Sequence, residues 1–317
     1  MRISLILGMV GCAPATATLG TIDDPIPDAP APTDSTTDIP PEETPTDSPP
    51  DPTSEPPPAS IDPTTRGPFD VTTTRDVFDA SCELPYAAVR PVGVDPFAVA
   101  VLAHGFLLDS SSMTGWAEHW ASWGVAVAVP DLCHSSIFDS DAALNGSDMA
   151  ELGEHLAGGL PIVYAGHSAG GLAALLAPAN SPHAVAVLGF DPVDDILGSG
   201  LAAAPDVDIP VAGIYAEDET CNAFGNGLDA FGAAPSHRLL RAVGTDHCDY
   251  TNPYESLCDI ACANGTADPE VTVDVLEGLS LAWIAWHTGE RPDLAVYWQP
   301  ESAELGAWID AGLVAIP

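Results

Sequence analysis

The sequence predicts an α/β protein whose mostly parallel, doubly wound central sheet is flanked by helices, and two observations support this fold class. Several segments are continuous runs of Val, Ala and Leu, such as AVAVLA and VAVAVP, which are typical of strands covered on both faces. These runs alternate with helix-like stretches, which implies right-handed crossovers between neighbouring parallel strands. We therefore expect functional side chains to gather at the carboxyl ends of the strands.

The predicted strands follow one another from residue 71 onward. In order they read VTTTRDVF, LPYAAVRPV, FAVAVLAHG, VAVAVPDL, PIVYAGHS, HAVAVLGFDPV, IPVAGIYAED and HRLLRAVGTDH. Helices are predicted between them, and a long amphipathic helix follows the last strand; the predicted ranges are 112–123, 147–156, 171–177, 221–231 and 271–287. No insertion between the strands is long enough to form a large lid, so we expect an open site.

The charge balance is strongly acidic. The 317 residues include 46 Asp and Glu but only seven Arg and no Lys, which gives a net charge of −39. Such a chain cannot neutralise nucleic-acid phosphates or bind an anionic membrane surface, so neither is an expected partner. An acidic surface keeps a protein soluble at high ionic strength, and the composition fits either a saline habitat or a lineage bias toward acidic surfaces.

The start of the chain differs in character from the rest. Residues 1–12, MRISLILGMVGC, have the outline of an export signal, and the VGC ending is similar to that of bacterial lipoprotein signals. Cys12 is therefore the predicted lipidation site and membrane anchor; a plain secretory signal and a misplaced start codon are the alternatives. Residues 13–66 are rich in Pro, Thr and Asp, which predicts a disordered linker before a folded domain over 67–317. We expect an exported protein, held in the cell envelope or secreted.

Seven cysteines become six when Cys12 is set aside. An even set in an exported chain predicts up to three disulfides and leaves their pairing open. None of the six lies on a strand-to-helix turn, so thiol catalysis is not expected. The six candidates are Cys82, Cys133, Cys221, Cys248, Cys258 and Cys262.

The segment PIVYAGHSAGGLAALLA places Ser168 at a predicted strand-to-helix turn. PIVYA is typical of a buried strand, GHSAG of a tight turn and GLAALLA of a helix. A G-x-S-x-G pattern in this context raises a serine hydroxyl above the sheet edge, with a helix N-terminus behind it to stabilise negative charge. Ser168 is therefore the predicted nucleophile; the alternative is a polar residue in a Gly-rich turn.

A serine nucleophile needs a base, and position in the chain selects His247. In this architecture the order along the chain is serine, acid, then histidine. His247 follows the last predicted strand, in AVGTDHCDY. His237 begins a strand and His287 ends a long helix, which favours structural or exposed positions for both.

Two aspartates compete to orient the base. Asp191, in VAVLGFDPVDD, ends the strand after the serine turn, and Asp218, in GIYAEDET, follows the next strand. Both are expected to face the site, and strand position alone does not choose between them.

An oxyanion hole requires two backbone N–H donors. One is expected from Ala169, directly after the serine, and the other from Phe106 or its neighbour Leu107. Both lie in the loop after AVAVLAHG, where the pair His104 and Gly105 allows close approach of the backbone. The alternative is an ordinary strand-to-helix turn.

Several side chains are expected to contact substrate. Phe106, Trp116 and His134 are predicted to wall an apolar acyl pocket. His104 and His167 are predicted to lie beside it.

Four motifs resemble the α/β-hydrolase superfamily and, within it, the cutinase, chlorophyllase and platelet-activating-factor acetylhydrolase relatives. They are HGF at 104–106, GHSAGG at 166–171, GFDPVDD at 189–195 and GTDHCDY at 244–250. The resemblance implies an α/β-hydrolase fold and hydrolysis of carboxylic esters without a cofactor.

The resemblance also bears on the acid and on the disulfides. In chlorophyllases and the acetylhydrolases the acid resembles the Asp of a DPV-type motif, which maps onto Asp191 and is the choice we favour. In cutinase-like polyesterases it lies one strand later, as Asp218 does. A bond similar to one in some polyesterases would join Cys221 to Cys248; alternatively Cys248 pairs with Cys258 or Cys262.

These observations predict a monomeric serine esterase for bulky, lipidic or polymeric esters, with no cofactor and no metal. The acidic segment 138–148 misses the spacing of an EF-hand and is expected to be a solvated loop over the pocket. A peptidase or acyltransferase on the same fold, and a non-catalytic surface-binding module, are the alternatives.

Overall fold

The computed structural model describes residues 61–255, 258, 262 and 265–317. The predicted signal over 1–12, with Cys12, lies outside the described residues, as does the predicted linker up to residue 60. The folded unit begins before the predicted residue 67, because the carbonyls of Pro63 and Thr65 bond to the side chains of His119 and Trp123.

Nine strands form one sheet in the order β1-β2-β4-β3-β7-β8-β9-β10-β11. The six strands from β4 to β10 in that order are mutually parallel, whereas β1, β2 and β11 pair antiparallel at the edges. The strands are β1 Val71–Asp79, β2 Glu83–Pro91, β3 Ala98–Ala103, β4 Val125–Pro130, β7 Ile162–His167, β8 Ala184–Phe190, β9 Val211–Tyr215, β10 His237–Ala242 and β11 Val314–Ala315.

A separate two-stranded hairpin, β5 Ser135–Ser136 with β6 Asp139–Ser140, follows β4. Helices cover both faces of the large sheet: α1 and α6 pack on one face, and α2, α3 and α5 on the other. The helices are α1 Thr114–Ser122, α2 Ala142–Ala157, α3 Ala169–Leu176, α4 Ser199–Ala203, α5 Asn226–Gly232, α6 Pro269–His287 and α7 Ala303–Asp310.

The strand pattern of the sequence corresponds to burial in the sheet. All residues of β3, β4, β7 and β9 are buried, because helices cover both sides of these strands. Large aromatic side chains fill the space under the helices, with Trp116, Trp120 and Trp283 on the face of α1 and α6. The mostly parallel central sheet flanked by helices, predicted from the sequence, is confirmed.

Two segments differ from their predictions. The predicted helix over 221–231 begins only at Asn226, because Ala223 and Phe224 have positive φ values of 50° and 58° that a helix does not allow. The acidic segment 138–148 is not a loop over the pocket, since it forms β6 and the start of α2. Asp141 caps α2 by accepting hydrogen bonds from the amides of Ala143 and Leu144, each at 3.0 Å.

No helix in the described part of the chain combines the length and the hydropathy that a membrane-crossing segment needs.

Candidate active site

Ser168 is the single residue that connects the end of β7 to the first residue of α3. Its backbone is held at φ 55° and ψ −123°, outside the regions that non-glycine residues favour. The turn is too tight for side chains on its flanks: a Cβ on Gly166 would lie 2.3 Å from the Gly170 carbonyl oxygen, and one on Gly170 would lie 2.3 Å from the His104 carbonyl oxygen. The flanking glycines are therefore required by the turn itself.

A chain of hydrogen bonds joins Ser168, His247 and Asp191. The Ser168 Oγ lies 2.9 Å from His247 Nε2, and His247 Nδ1 lies 2.6 Å from Asp191 Oδ2. Because a carboxylate only accepts, Nδ1 carries the imidazole proton and Nε2 is left to accept the proton of the serine hydroxyl. All three side chains are buried, with Ser168 8% exposed.

Asp191, and not Asp218, is the carboxylate that reaches the imidazole. Asp191 follows β8 and is fully buried, where it accepts hydrogen bonds from the Ala216 amide at 3.0 Å and from Asn222 Nδ2 at 3.1 Å. Asp218 is half exposed and pairs with Arg241 at 2.9 Å. The orientation of Asp218 therefore leaves it without a role next to His247.

The backbone of His247 is fixed on both sides. Its amide donates to Glu219 Oε1 at 2.9 Å, and its carbonyl accepts from His167 Nε2 at 3.0 Å. Burial in the first place, and the adjacent His247 imidazole in the second, lower the pKa of His167 well below its usual value. A neutral His167 with its proton on Nε2 is the form that makes this hydrogen bond.

The loop after β3 offers one amide beside the serine. A Cβ on Gly105 would lie 3.2 Å from the Cβ of Ser168, so this backbone runs directly against the serine. The Leu107 amide is occupied, because it donates to the Ser135 carbonyl at 3.2 Å. By contrast, the amides of Phe106 and Ala169 donate to no other described residue.

His104 lies beneath this loop and fixes its backbone through hydrogen bonds. It is buried, its Nε2 accepts from the Leu132 amide at 3.0 Å, and its Nδ1 donates to the Gly105 carbonyl at 2.8 Å. Since a trans peptide is planar, a Gly105 carbonyl directed at His104 turns the Phe106 N–H to the opposite side. The prediction that His104 contacts substrate is wrong, because the ring is buried beneath the loop and both of its nitrogens are bonded.

A cavity of about 560 Å³ opens above the serine. Apolar side chains of the loop after β3 form one wall, and the segment that follows β10 forms another. The lining residues are Gly105, Phe106, Leu107, Leu108, Asp109, Ser112, His167, Ser168, Cys221, His247, Glu255, Cys258 and Cys262. Phe106 and His167 are where the sequence predicted them.

Two predicted wall residues do not reach this cavity. Trp116 is fully buried, stacks on Phe190 and donates its indole N–H to the Tyr250 carbonyl at 2.9 Å. His134 bonds instead to Asp139, at 2.9 Å, and to Ser81 Oγ, at 2.9 Å. Both predictions are wrong, because α1 directs Trp116 into the sheet and the His134 ring is bonded to Asp139 and Ser81 outside the cavity lining.

The six cysteines form three disulfides: Cys82–Cys133, Cys221–Cys262 and Cys248–Cys258. The Cys221–Cys248 bond is therefore absent, and Cys248 has the alternative partner Cys258. Cys248 directly follows His247, and Cys221 directly precedes Asn222, so two bonds brace the neighbours of the Ser168–His247–Asp191 chain. Three disulfides are consistent with an oxidising environment.

Three contributions to the site were missed in the sequence. Asn222, which bonds to Asp191, lies in the range 221–231 that the sequence predicts as a helix, and Glu219, which bonds to the His247 amide, lies just before that range. One wall of the cavity is formed by Glu255, Cys258 and Cys262. The cysteine spacing in this segment indicates a disulfide, but it does not indicate that the segment lies near Ser168.

No protein-family model matches the chain. No curated protein matches it significantly either.

Proposed function

We propose that the chain is a serine hydrolase of the α/β-hydrolase superfamily that cleaves carboxylic esters. The observation that carries the proposal is the continuous hydrogen-bonded chain Ser168–His247–Asp191, located at a strand-to-helix turn under an open cavity. A buried base that accepts from a serine hydroxyl, and is itself oriented by a carboxylate, is the arrangement needed for acyl transfer. The apolar side chains of Phe106, Leu107 and Leu108 along the cavity favour an acyl chain as the bound group.

In the first half of the reaction Ser168 Oγ attacks the ester carbonyl while its proton moves to His247 Nε2. Asp191 stabilises the resulting imidazolium through Nδ1. The amides of Phe106 and Ala169 donate to the oxygen that becomes negative, and the N-terminus of α3 adds its positive potential. As the C–O bond breaks, His247 returns the proton to the leaving alkoxide, and Ser168 keeps the acyl group.

In the second half water replaces the alcohol. His247 takes a proton from the water while its oxygen attacks the acyl-enzyme carbonyl. The tetrahedral intermediate then collapses, the bond from the carbonyl carbon to Ser168 Oγ breaks, and His247 returns the proton to Oγ as the acid leaves. Every proton in this cycle passes through His247 Nε2, so no further group is required. The proposal includes export, with Cys12 as the lipid anchor.

The test is labelling by a fluorophosphonate probe together with hydrolysis of p-nitrophenyl esters of increasing chain length. We expect the wild type to be labelled and active, and Ser168→Ala to lose both. Ser112→Ala is the matched control, because Ser112 lines the same cavity but its hydroxyl donates to the Asp109 carbonyl. Folded wild-type protein that neither reacts with the probe nor hydrolyses any ester would refute the proposal. Faster cleavage of peptides than of esters would indicate a peptidase.

A further inference from the structure

The most exposed large hydrophobic side chains share one edge of the molecule. Among the described residues, six such side chains have exposed fractions from 61% to 103%, and the next, Val77, is at 58%. All six lie in segments that leave the carboxyl ends of β3, β4, β8 and β9. They are Leu107, Ile137, Phe138, Ile196, Leu197 and Phe224, and we refer to them as the apolar collar.

The collar and Ser168 lie at the same edge of the sheet, because the strands are parallel and β7, which leads to Ser168, has β3 and β4 on one side and β8 and β9 on the other. Leu107 lines the cavity, and its amide is bonded to the β5–β6 hairpin that presents Ile137 and Phe138. Phe224 follows the cavity-lining Cys221 by three residues. Ile196 and Leu197 follow Asp191, so each group is tied to a part of the site.

The collar is held in place by local structure. Leu107 and Phe224 have positive φ values of 62° and 58°, a backbone region that side-chain-bearing residues rarely adopt. Asp195 Oδ1 accepts from the amides of Leu197 and Ser199 at 2.9 and 3.1 Å, which shapes the turn that exposes Leu197. Apolar side chains kept in water by a constrained backbone are a mark of a binding surface.

The net negative charge of the chain limits the kinds of surface that the collar can bind. A net charge of −39 repels an anionic membrane, and it also repels a second copy of the same chain. An uncharged apolar phase exerts no such repulsion and removes the collar from water. Since the collar and the cavity lie at the same edge of the sheet, a phase bound to the collar would present its own ester groups on the side of the molecule that carries Ser168.

We propose that the apolar collar docks the protein on an uncharged, water-insoluble ester phase, so that the substrate is taken from a surface. This inference rests on the proposed esterase activity and adds the physical state of the substrate. The acidic remainder of the molecule stays in water and prevents adsorption by other faces.

The test measures adsorption separately from catalysis. In a Ser168→Ala background, partition onto tricaprylin droplets is compared for the parent, for Phe138→Ser with Leu197→Ser, and for the control pair Val77→Ser with Ile316→Ser. The control residues are 58% and 55% exposed but lie outside the collar. We expect the collar pair to lower the partition constant by about tenfold or more, because two large side chains no longer leave water, and the control pair to leave it unchanged.

With Ser168 intact, the collar pair should hydrolyse dissolved p-nitrophenyl acetate at the wild-type rate but tricaprylin droplets about tenfold more slowly. Equal adsorption of the collar pair and the parent would overturn the proposal. So would parent binding to phosphatidylglycerol vesicles as strong as to the droplets, or a parent dimer that the collar substitutions dissociate. The adsorption of Ser168→Ala does not depend on activity. A wild-type protein that is inactive on every ester would therefore refute the proposed esterase activity, while adsorption through the collar would still support the docking surface.

Discussion

Asp191 and Asp218 are both carboxylates at the same edge of the sheet, yet their surroundings differ. Asp191 has no exposure to solvent and three hydrogen-bonding neighbours, namely His247, Asn222 and the Ala216 amide. Asp218 forms an exposed ion pair with Arg241, and exposed pairs contribute little free energy. Substituting each aspartate in turn therefore tests which of the two carboxylates supports His247.

We predict that Asp191→Asn lowers kcat/KM for esters by about 10³ to 10⁴, because an amide neither stabilises the imidazolium nor keeps the proton on Nδ1. Asp218→Asn should change kcat/KM by less than about fivefold, since it removes only a surface ion pair. Steady-state kinetics on one soluble ester measure both, with thermal melts to verify folding. A larger loss for Asp218→Asn than for Asp191→Asn would reverse the assignment of the acid.

Residues whose position depends on a strand or a turn could be predicted from the sequence. Ser168, Asp191 and His247 each follow a strand of the parallel sheet, so their order along the chain was enough to suggest that they meet. Trp116 could not be placed in this way, because nothing in the sequence says which face of α1 contacts the sheet. Asn222 depends on a turn that two positive φ values create, and no local pattern predicted them.

The interface between α1 and α6 contains a partly buried acid, Glu277, and a buried histidine, His119. His119 Nδ1 lies 3.2 Å from Glu277 Oε2, and its Nε2 donates to the Pro63 carbonyl at 3.0 Å. Burial raises the pKa of Glu277 to about 7, with a further increase from Asp274, and burial lowers the pKa of His119 to about 4. In weakly acidic solution both groups are therefore neutral, and the carboxyl proton of Glu277 is available to His119 Nδ1.

The contact between His119 on α1 and Glu277 on α6 predicts that the free energy of unfolding depends on pH. A carboxyl whose pKa is 4.5 in the unfolded chain and about 7 in the folded one favours the folded state at low pH, and that contribution is lost as the pH rises toward 7. The amide of Glu277→Gln can donate to the neutral His119 throughout the range from pH 5 to pH 8. The free energy of unfolding of the variant minus that of the wild type should therefore increase by roughly 1–2 kcal/mol when the pH is raised from 5 to 8.

Urea unfolding at a series of pH values measures the difference between the two proteins. The exposed Glu290→Gln, just beyond the end of α6, is the matched control and should follow the wild type at each pH. A difference between Glu277→Gln and the wild type that stays constant from pH 5 to 8 would contradict the raised pKa.

At the scale of elements, strands β3, β4, β7 and β9 could be predicted because helices cover both of their faces, so burial leaves a continuous apolar run in each of them. Strands β5, β6 and β11 have two residues each, too few for any periodicity. The prediction of a solvated loop over 138–148 is wrong because Asp is common both in solvated loops and at helix N-caps, and Asp141 caps α2. In each case a tertiary contact or a single hydrogen bond, rather than hydrophobic periodicity, decides the structure.

The whole molecule has a charge balance that no set of ion pairs can neutralise. It contains 46 acidic residues and seven Arg, so most carboxylates have no cationic partner available. Repulsion among like charges opposes the compact state, and it weakens as the Debye length falls from about 10 Å at 0.1 M salt to about 3 Å at 1 M. Native stability should consequently depend on ionic strength.

We predict that the Tm rises as NaCl is increased from 0.05 to 1 M, by roughly 2–4 °C for each kcal/mol of repulsion removed. Thermal melts in NaCl and in KCl should coincide, because screening depends on ionic strength and not on which cation is present. Most of the rise should occur below about 0.5 M, since the Debye length by then is shorter than most distances between surface charges. A Tm that is flat or falling over this range, or a rise with only one of the two cations, would show that general screening is not what stabilises the fold.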